Sequence, residues 1–248
     1  GAAVAVDAAD TDGGFRGYTL AGGTLTVAAG AALDRTEVRA LCGTLNAAGR
    51  VAGGVTLFEA DGLRSLLQTA GAGAAEMNAA LNRLQDADGV FVRTLLLSVP
   101  GELTLAGGTE SDPCTIGGGR TADHRYLDAL TLDIAGILNI SGTFSNSGRL
   151  TVDLAPGGRL AAADGTALKN AAGGENTGAG VMRLGLAGTV TGGPGDGLNV
   201  SNHNPAAGSL TADITGPVCL FSAYDGAGRV NVAGTGELRL TEGRLNEL

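Results

Sequence analysis

The sequence predicts an all-β fold, a parallel β-solenoid (β-helix), organised as one domain over residues 1–248 with a helical insertion at about 61–88. Three observations carry this expectation. Short runs alternate apolar and polar residues, the period-two pattern of half-buried strands. Glycine is abundant, 44 residues, and gathers between those runs. Aromatic residues make up only 3% of the chain and Trp is absent. A β-sandwich core usually relies on large rings that each bury ~150–250 Å². A solenoid interior is narrow, fills with stacked Leu, Val, Ile and Ala, and turns at corners where glycine supplies positive φ. The strand spacing, uneven steps of about 8 to 14 residues, leaves a β-sandwich as the alternative.

The strand runs come in order. Thr24-Leu25-Thr26-Val27 and Glu102-Leu103-Thr104-Leu105 are followed by Leu130-Thr131-Leu132-Asp133-Ile134 and Leu150-Thr151-Val152-Asp153-Leu154. Leu198-Asn199-Val200, Leu210-Thr211-Ala212-Asp213-Ile214, Val230-Asn231-Val232 and Leu238-Arg239-Leu240 complete the series. Glycine pairs such as Gly22-Gly23, Gly107-Gly108 and Gly157-Gly158 mark turns. The runs predict strands of about three to five residues. Asp34-Arg35-Thr36-Glu37 reads either as a helix capping box or as the start of a strand.

One segment breaks the alternation. Leu63, Leu67, Ala70, Ala74, Met77, Leu81 and Leu84 form a single apolar stripe at helical spacing. Asp61 suits an N-cap, Gly89 a C-terminal cap, and Gly71 and Gly73 interrupt the middle. Two helices are expected, over about 61–70 and 74–87, with the stripe either covering a side or an end of the sheet or serving as a zipper for a partner.

Charge and composition narrow the function classes. There are 16 basic and 25 acidic residues, a net charge of −9, which disfavours binding to nucleic acid. No apolar run approaches the ~18 residues of a membrane span. The mean hydropathy of +0.18 argues against wholesale disorder. The chain opens on Gly1 rather than Met, which fits a removed export leader. Cys42, Cys114 and Cys219 lack the spacing of a zinc or redox motif and read either as small buried hydrophobes or as one disulfide with one free thiol.

Gly23-Thr24-Leu25-Thr26-Val27, Gly43-Thr44-Leu45-Asn46 and the stretch Gly136 to Leu154 resemble the Gly-Thr-Leu and Asn-Ser-Gly repeats of secreted β-helical passenger domains and large adhesins. The resemblance covers residues 20–57 and 100–248 and has no regular repeat length. It implies an exported protein located outside the cell or at its surface. The helical segment departs from that pattern and favours a compact unit.

Candidate chemistry is sparse. His124 and His203 lie in polar turn sequences. Three acidic groups are weak calcium candidates, Asp7-Asp10-Asp12, Asp86-Asp88 and the glycine-rich stretch ending in Asp196, but none matches a calcium loop. Asp133 and Asp153 occupy equivalent places in two matching runs and would meet on adjacent coils, as a carboxylate pair for glycan cleavage or as solvated aspartates. No nucleotide-binding loop or nucleophile elbow is present. The expected function is therefore an exported, non-catalytic structural protein that needs no cofactor. It assembles with copies of itself into a surface layer or filament, or acts in adhesion to a surface glycan or protein. The alternative is a glycan-active β-helix enzyme or a phage-type fibre domain.

Self-association is expected through the chain ends. Ala2, Ala3, Val4, Ala5 and Val6 form a small, apolar, uncharged strand with nothing resembling a polar cap. Leu238 and Leu240 alternate with charged residues in a second candidate edge.

Overall fold

Alternation in the sequence becomes strand in the computed structural model, which describes residues 3–6, 16–57, 71, 73–82, 93–117, 128–170, 180–192, 198–202, 210–217, 219–222, 229–233 and 237–240. The first strands are β1 (Ala3–Val6), β2 (Arg16–Val27), β3 (Thr36–Ala47) and β4 (Arg50–Leu57), followed by a helix, α1 (Ala74–Asn82). Next come β5 (Thr94–Val99), β6 (Glu102–Ala106), β7 (Cys114–Ile116), β8 (Ala129–Ile134), β9 (Ile137–Ser141), β10 (Thr143–Asn146), β11 (Arg149–Leu154), β12 (Arg159–Ala162) and β13 (Ala167–Asn170). The last are β14 (Val181–Leu186), β15 (Thr189–Gly192), β16 (Leu198–Asn202), β17 (Leu210–Ile214), β18 (Cys219–Ser222), β19 (Arg229–Val232) and β20 (Glu237–Leu240).

The strands form a 14-stranded and a 6-stranded sheet, and every pairing between them is parallel. The sandwich alternative, which rests on antiparallel hairpins and Greek keys, does not fit this pairing. From β5 onward each strand pairs with the one three places later: β5 with β8, β6 with β9, β7 with β10, and so on to β14 with β17. The large sheet has two arms that meet in β3. The first half of β3 pairs with β4 through Val38 and Val55, and the second half pairs with β5 through Gly43 and Leu95.

In-register pairing stacks like on like. One inward column of the first arm runs Leu45, Leu97, Leu132, Val152, Leu184 and Ala212, and none of these is more than 2% exposed. In the second arm Val51, Leu103, Leu138, Leu160 and Val190 form a matching column. Phe144, Leu168 and Val200 line the six-stranded sheet. Each buried aliphatic side chain contributes roughly 1.5–3 kcal/mol, so the columns supply the bulk of the stabilisation, with Phe144 as an aromatic member.

Three sequence expectations need correction or refinement. First, strand length reaches 12 residues in β2 and β3, because each continues across a corner with register shifts at Leu20–Thr24 in β2. Second, several corner glycines are required by close approach rather than by positive φ. A Cβ on Gly49, Gly101, Gly136, Gly158, Gly188 or Gly216 would come within 3.0 Å of a backbone carbonyl oxygen on the preceding turn of chain or within the corner itself. The backbone at these corners is hydrogen-bonded onward from turn to turn, as in Ile137 N–H to Gly101 O at 2.7 Å and Arg159 N–H to Gly136 O at 2.8 Å. Positive φ is confined to other glycines, such as Gly157 at 87°. Third, Asp34–Glu37 leads into strand: β3 begins at Thr36, whose side chain is buried.

The helix starts at Ala74, as the sequence predicts. Glu76 accepts a hydrogen bond from the Gly73 N–H at 3.0 Å, the reach-back half of a capping box. The described side chains of α1, at Ala74, Ala75, Glu76, Asn78 and Ala79, are exposed. The expected helix over 61–70, its Asp61 cap, the 83–87 end of the second helix and Gly89 lie outside the described residues.

Candidate functional site

Alternate residues of the first arm face outward, and pairing lines them up. One column runs Thr26, Asn46, Ser98, Asp133, Asp153, Gly185, Asp213 and Asn231. Asp133 and Asp153 are therefore neighbours, as their matching runs suggested. The Ser98 hydroxyl donates to Asp133 Oδ2 at 3.4 Å, and Asn231 Nδ2 donates to Asp213 Oδ1 at 2.6 Å. Asp133, Asp153 and Asp213 are all exposed. These exposed carboxylates, in register with Ser98 and Asn231, form a polar column that is hydrogen-bonded at Asp133 and at Asp213.

The inner face of the six-stranded sheet holds a polar feature that sequence reasoning missed. Asn146, Asn170 and Asn202 occupy one register position in β10, β13 and β16, and each is fully buried. Asn146 Nδ2 donates to Asn170 Oδ1 at 2.8 Å, and Asn170 Nδ2 donates to Asn202 Oδ1 at 3.0 Å. The same two amides donate to the carbonyls of Val181 (3.1 Å) and Gly180 (3.0 Å), and Asn146 Oδ1 accepts from the Gly148 N–H at 3.2 Å. The ladder ties one turn of chain to the next and gives partners to the Gly180 and Val181 carbonyls where β14 begins. Its only sequence signal was an Asn closing each of three short apolar runs.

No family model, no curated protein and no solved structure matches this chain.

The remaining candidates have these places. Cys42 is buried, and Cys114 is half-buried. Burial pushes the Cys42 thiol up, and the positive charge of Arg93 offsets part of that rise. Arg93, not singled out from sequence, is itself fully buried; its N–H donates to Asp128 Oδ2 at 2.7 Å and its carbonyl accepts from the Asp128 N–H at 2.8 Å. Cys219 starts β18. His124, His203, Asp7, Asp10, Asp12, Asp86, Asp88 and Asp196 lie outside the described residues. Among the described residues no group of three or more His, Cys, Asp or Glu side chains is placed to hold a metal ion. Among them, too, no helix is long and apolar enough to cross a membrane.

Of the residues expected to mediate self-association, Ala3, Val4, Ala5 and Val6 form β1 and pair with Thr24, Leu25, Thr26 and Val27 of β2. This is the arrangement in which the segment completes a turn of its own chain. Leu238 and Leu240 lie in β20, opposite Leu220 and Ser222 of β18. Ala2 is outside the described residues.

Proposed function

We propose that this chain is a parallel β-solenoid working as an exported, non-catalytic structural protein, one that assembles with copies of itself into a surface layer or filament or serves in adhesion. The observation that carries this reading is the set of unbroken in-register columns in the first arm, from β1 at one end to β19 at the other. A stack of parallel strands grows along a single axis and presents a strand edge at each end, and such edges pair with further strands unless covered. Pairing to every third strand and the buried asparagine ladder fit coils wound around that axis. The outward columns of Thr, Asn, Ser and Asp make a regular hydrated flank suited to a surface exposed outside the cell.

Sedimentation velocity and negative-stain electron microscopy over a wide concentration range test the proposal. Growth of linear particles with concentration is expected, and removal of residues 1–8 should reduce it while leaving the circular dichroism spectrum unchanged. A monomer at every concentration overturns the self-assembling reading.

A further inference from the structure

We infer that copies of this chain join head to tail through the first arm alone, with β19 of one copy pairing in parallel with β1 of the next, Val230 beside Val4, Asn231 beside Ala5 and Val232 beside Val6. The inference rests on the self-assembly reading and specifies its joint.

Three observations lead there. First, the two strands belong to one ladder. The column Val4, Leu25, Leu45, Leu97, Leu132, Val152, Leu184, Ala212 and Val230 is in register throughout, so β1 and β19 run the same way and share one register. A further strand on β19 must be parallel and must place an aliphatic residue at the Val230 and Val232 positions. In Ala-Val-Ala-Val the two Val residues stand at the register positions of the buried Leu25 and Val27.

Second, the core column is uncovered at its β19 end. Val99, Ile134, Leu154, Leu186 and Ile214 are at most 2% exposed, whereas Val232, the next member, is 45% exposed. Among the described residues β19 pairs only with β17, and β1 only with β2. One further turn bearing Val6 would cover Val232 as Val232 covers Ile214.

Third, the outward positions do not oppose contact. Arg229 would face Ala3 and Asn231 would face Ala5, so the joint brings no like charges together. The other ladders lack this match. The six-stranded sheet begins at β7, in the middle of the chain, and the second arm ends at β15. A repeated contact of this kind generates an open filament unless its rotation closes a ring.

Disulfide trapping reads the register directly, because Cα partners on adjacent strands fall within the span a disulfide bridges. Single-cysteine variants Ala5→Cys, Asn231→Cys and Ala3→Cys are made in a chain carrying Cys42→Ala, Cys114→Ala and Cys219→Ala, then mixed in pairs under a mild oxidant. The A5C and N231C mixture should give a mixed disulfide dimer as its main product, at least tenfold over A3C with N231C. Circular dichroism and thermal melting verify that each variant folds. Should the cysteine-free background fail to fold, the pairs are made in the native chain and the linked peptides identified by mass spectrometry. An assembled sample that gives no A5C–N231C link, or mainly A5C–A5C links, overturns this joint and leaves self-assembly standing. A sample that sediments as a monomer overturns both.

Discussion

Asn146 Nδ2 lies 2.8 Å from Asn170 Oδ1 at a point where neither residue reaches solvent, so one side-chain amide bonds directly to the amide a full turn of chain away. Asn170 repeats the contact with Asn202 and also donates to Gly180 O. Replacing Asn170 by Ala removes both of these donated bonds and the one it accepts. The cost is about 2–4 kcal/mol, since buried polar groups lose partners without regaining water. Asn139→Ala, which removes a half-buried contact to Glu102, should cost less than about 1 kcal/mol. Urea unfolding of the two variants beside the parent measures the difference.

The corner glycines sort into two classes by what an added methyl would meet. Gly136→Ala drives a Cβ against the backbone of Pro100 and Gly101 and should cost roughly 3 kcal/mol or more. Gly157→Ala meets open space at a φ of 87° and should lose about 1 kcal/mol from backbone strain alone. Gly17→Ala, in a strand with ordinary contacts, should be neutral or gain about 0.5 kcal/mol. Thermal melts of the three proteins should rank in that order, and equal losses would remove the close-approach explanation.

Alternation along β8 gives a sharp contrast between adjacent residues. Leu132 is 1% exposed in the middle of an aliphatic column, so Leu132→Ala should cost about 2–5 kcal/mol. Asp133 faces water, and Asp133→Ala should change stability by no more than about 0.5 kcal/mol. Denaturant midpoints for the pair check which side of the sheet faces inward.

The Cys42 thiol is raised by burial, so folding favours its protonated form. Its contribution to stability is present below the unfolded thiol pKa and is lost as pH rises through the folded one. In the native protein Cys42 should therefore resist alkylation in mildly alkaline buffer and label fully in denaturant, with half-buried Cys114 labelling earlier. Peptide mass spectrometry after timed iodoacetamide treatment separates the two. Labelling of native Cys42 at the rate of a free thiol would contradict its burial.

The strands were legible because period two is written locally. Leu210-Thr211-Ala212-Asp213-Ile214 is β17 residue for residue, and the Asp133–Asp153 pairing could be read from two matching runs. The buried asparagine ladder was not legible. Asn146, Asn170 and Asn202 stand 24 and 32 residues apart, and no fixed period links them. Polar residues at strand ends also read first as turns. Positive φ at turn glycines was legible, as at Gly22, Gly23 and Gly157, but the close approach at Gly101 and Gly136 was not, because a sequence does not display the backbone that a neighbouring turn brings overhead. Arg93 was invisible as a buried residue, because charged side chains are rarely buried and nothing in its immediate sequence marks it.

Ser98 and Asp133 are register neighbours 35 residues apart, and Asp213 and Asn231 hold the same relation across 18. The pitch of the stack is thus independent of how much chain separates its rungs. Such a molecule is built like a mounting rail: the rungs fix where each connecting segment leaves and returns, while the number of residues between rungs differs from turn to turn. Peptides inserted between β13 and β14, or between β7 and β8, would be displayed at set intervals along one axis. Diversification can then alter what the rail carries without re-engineering the rail.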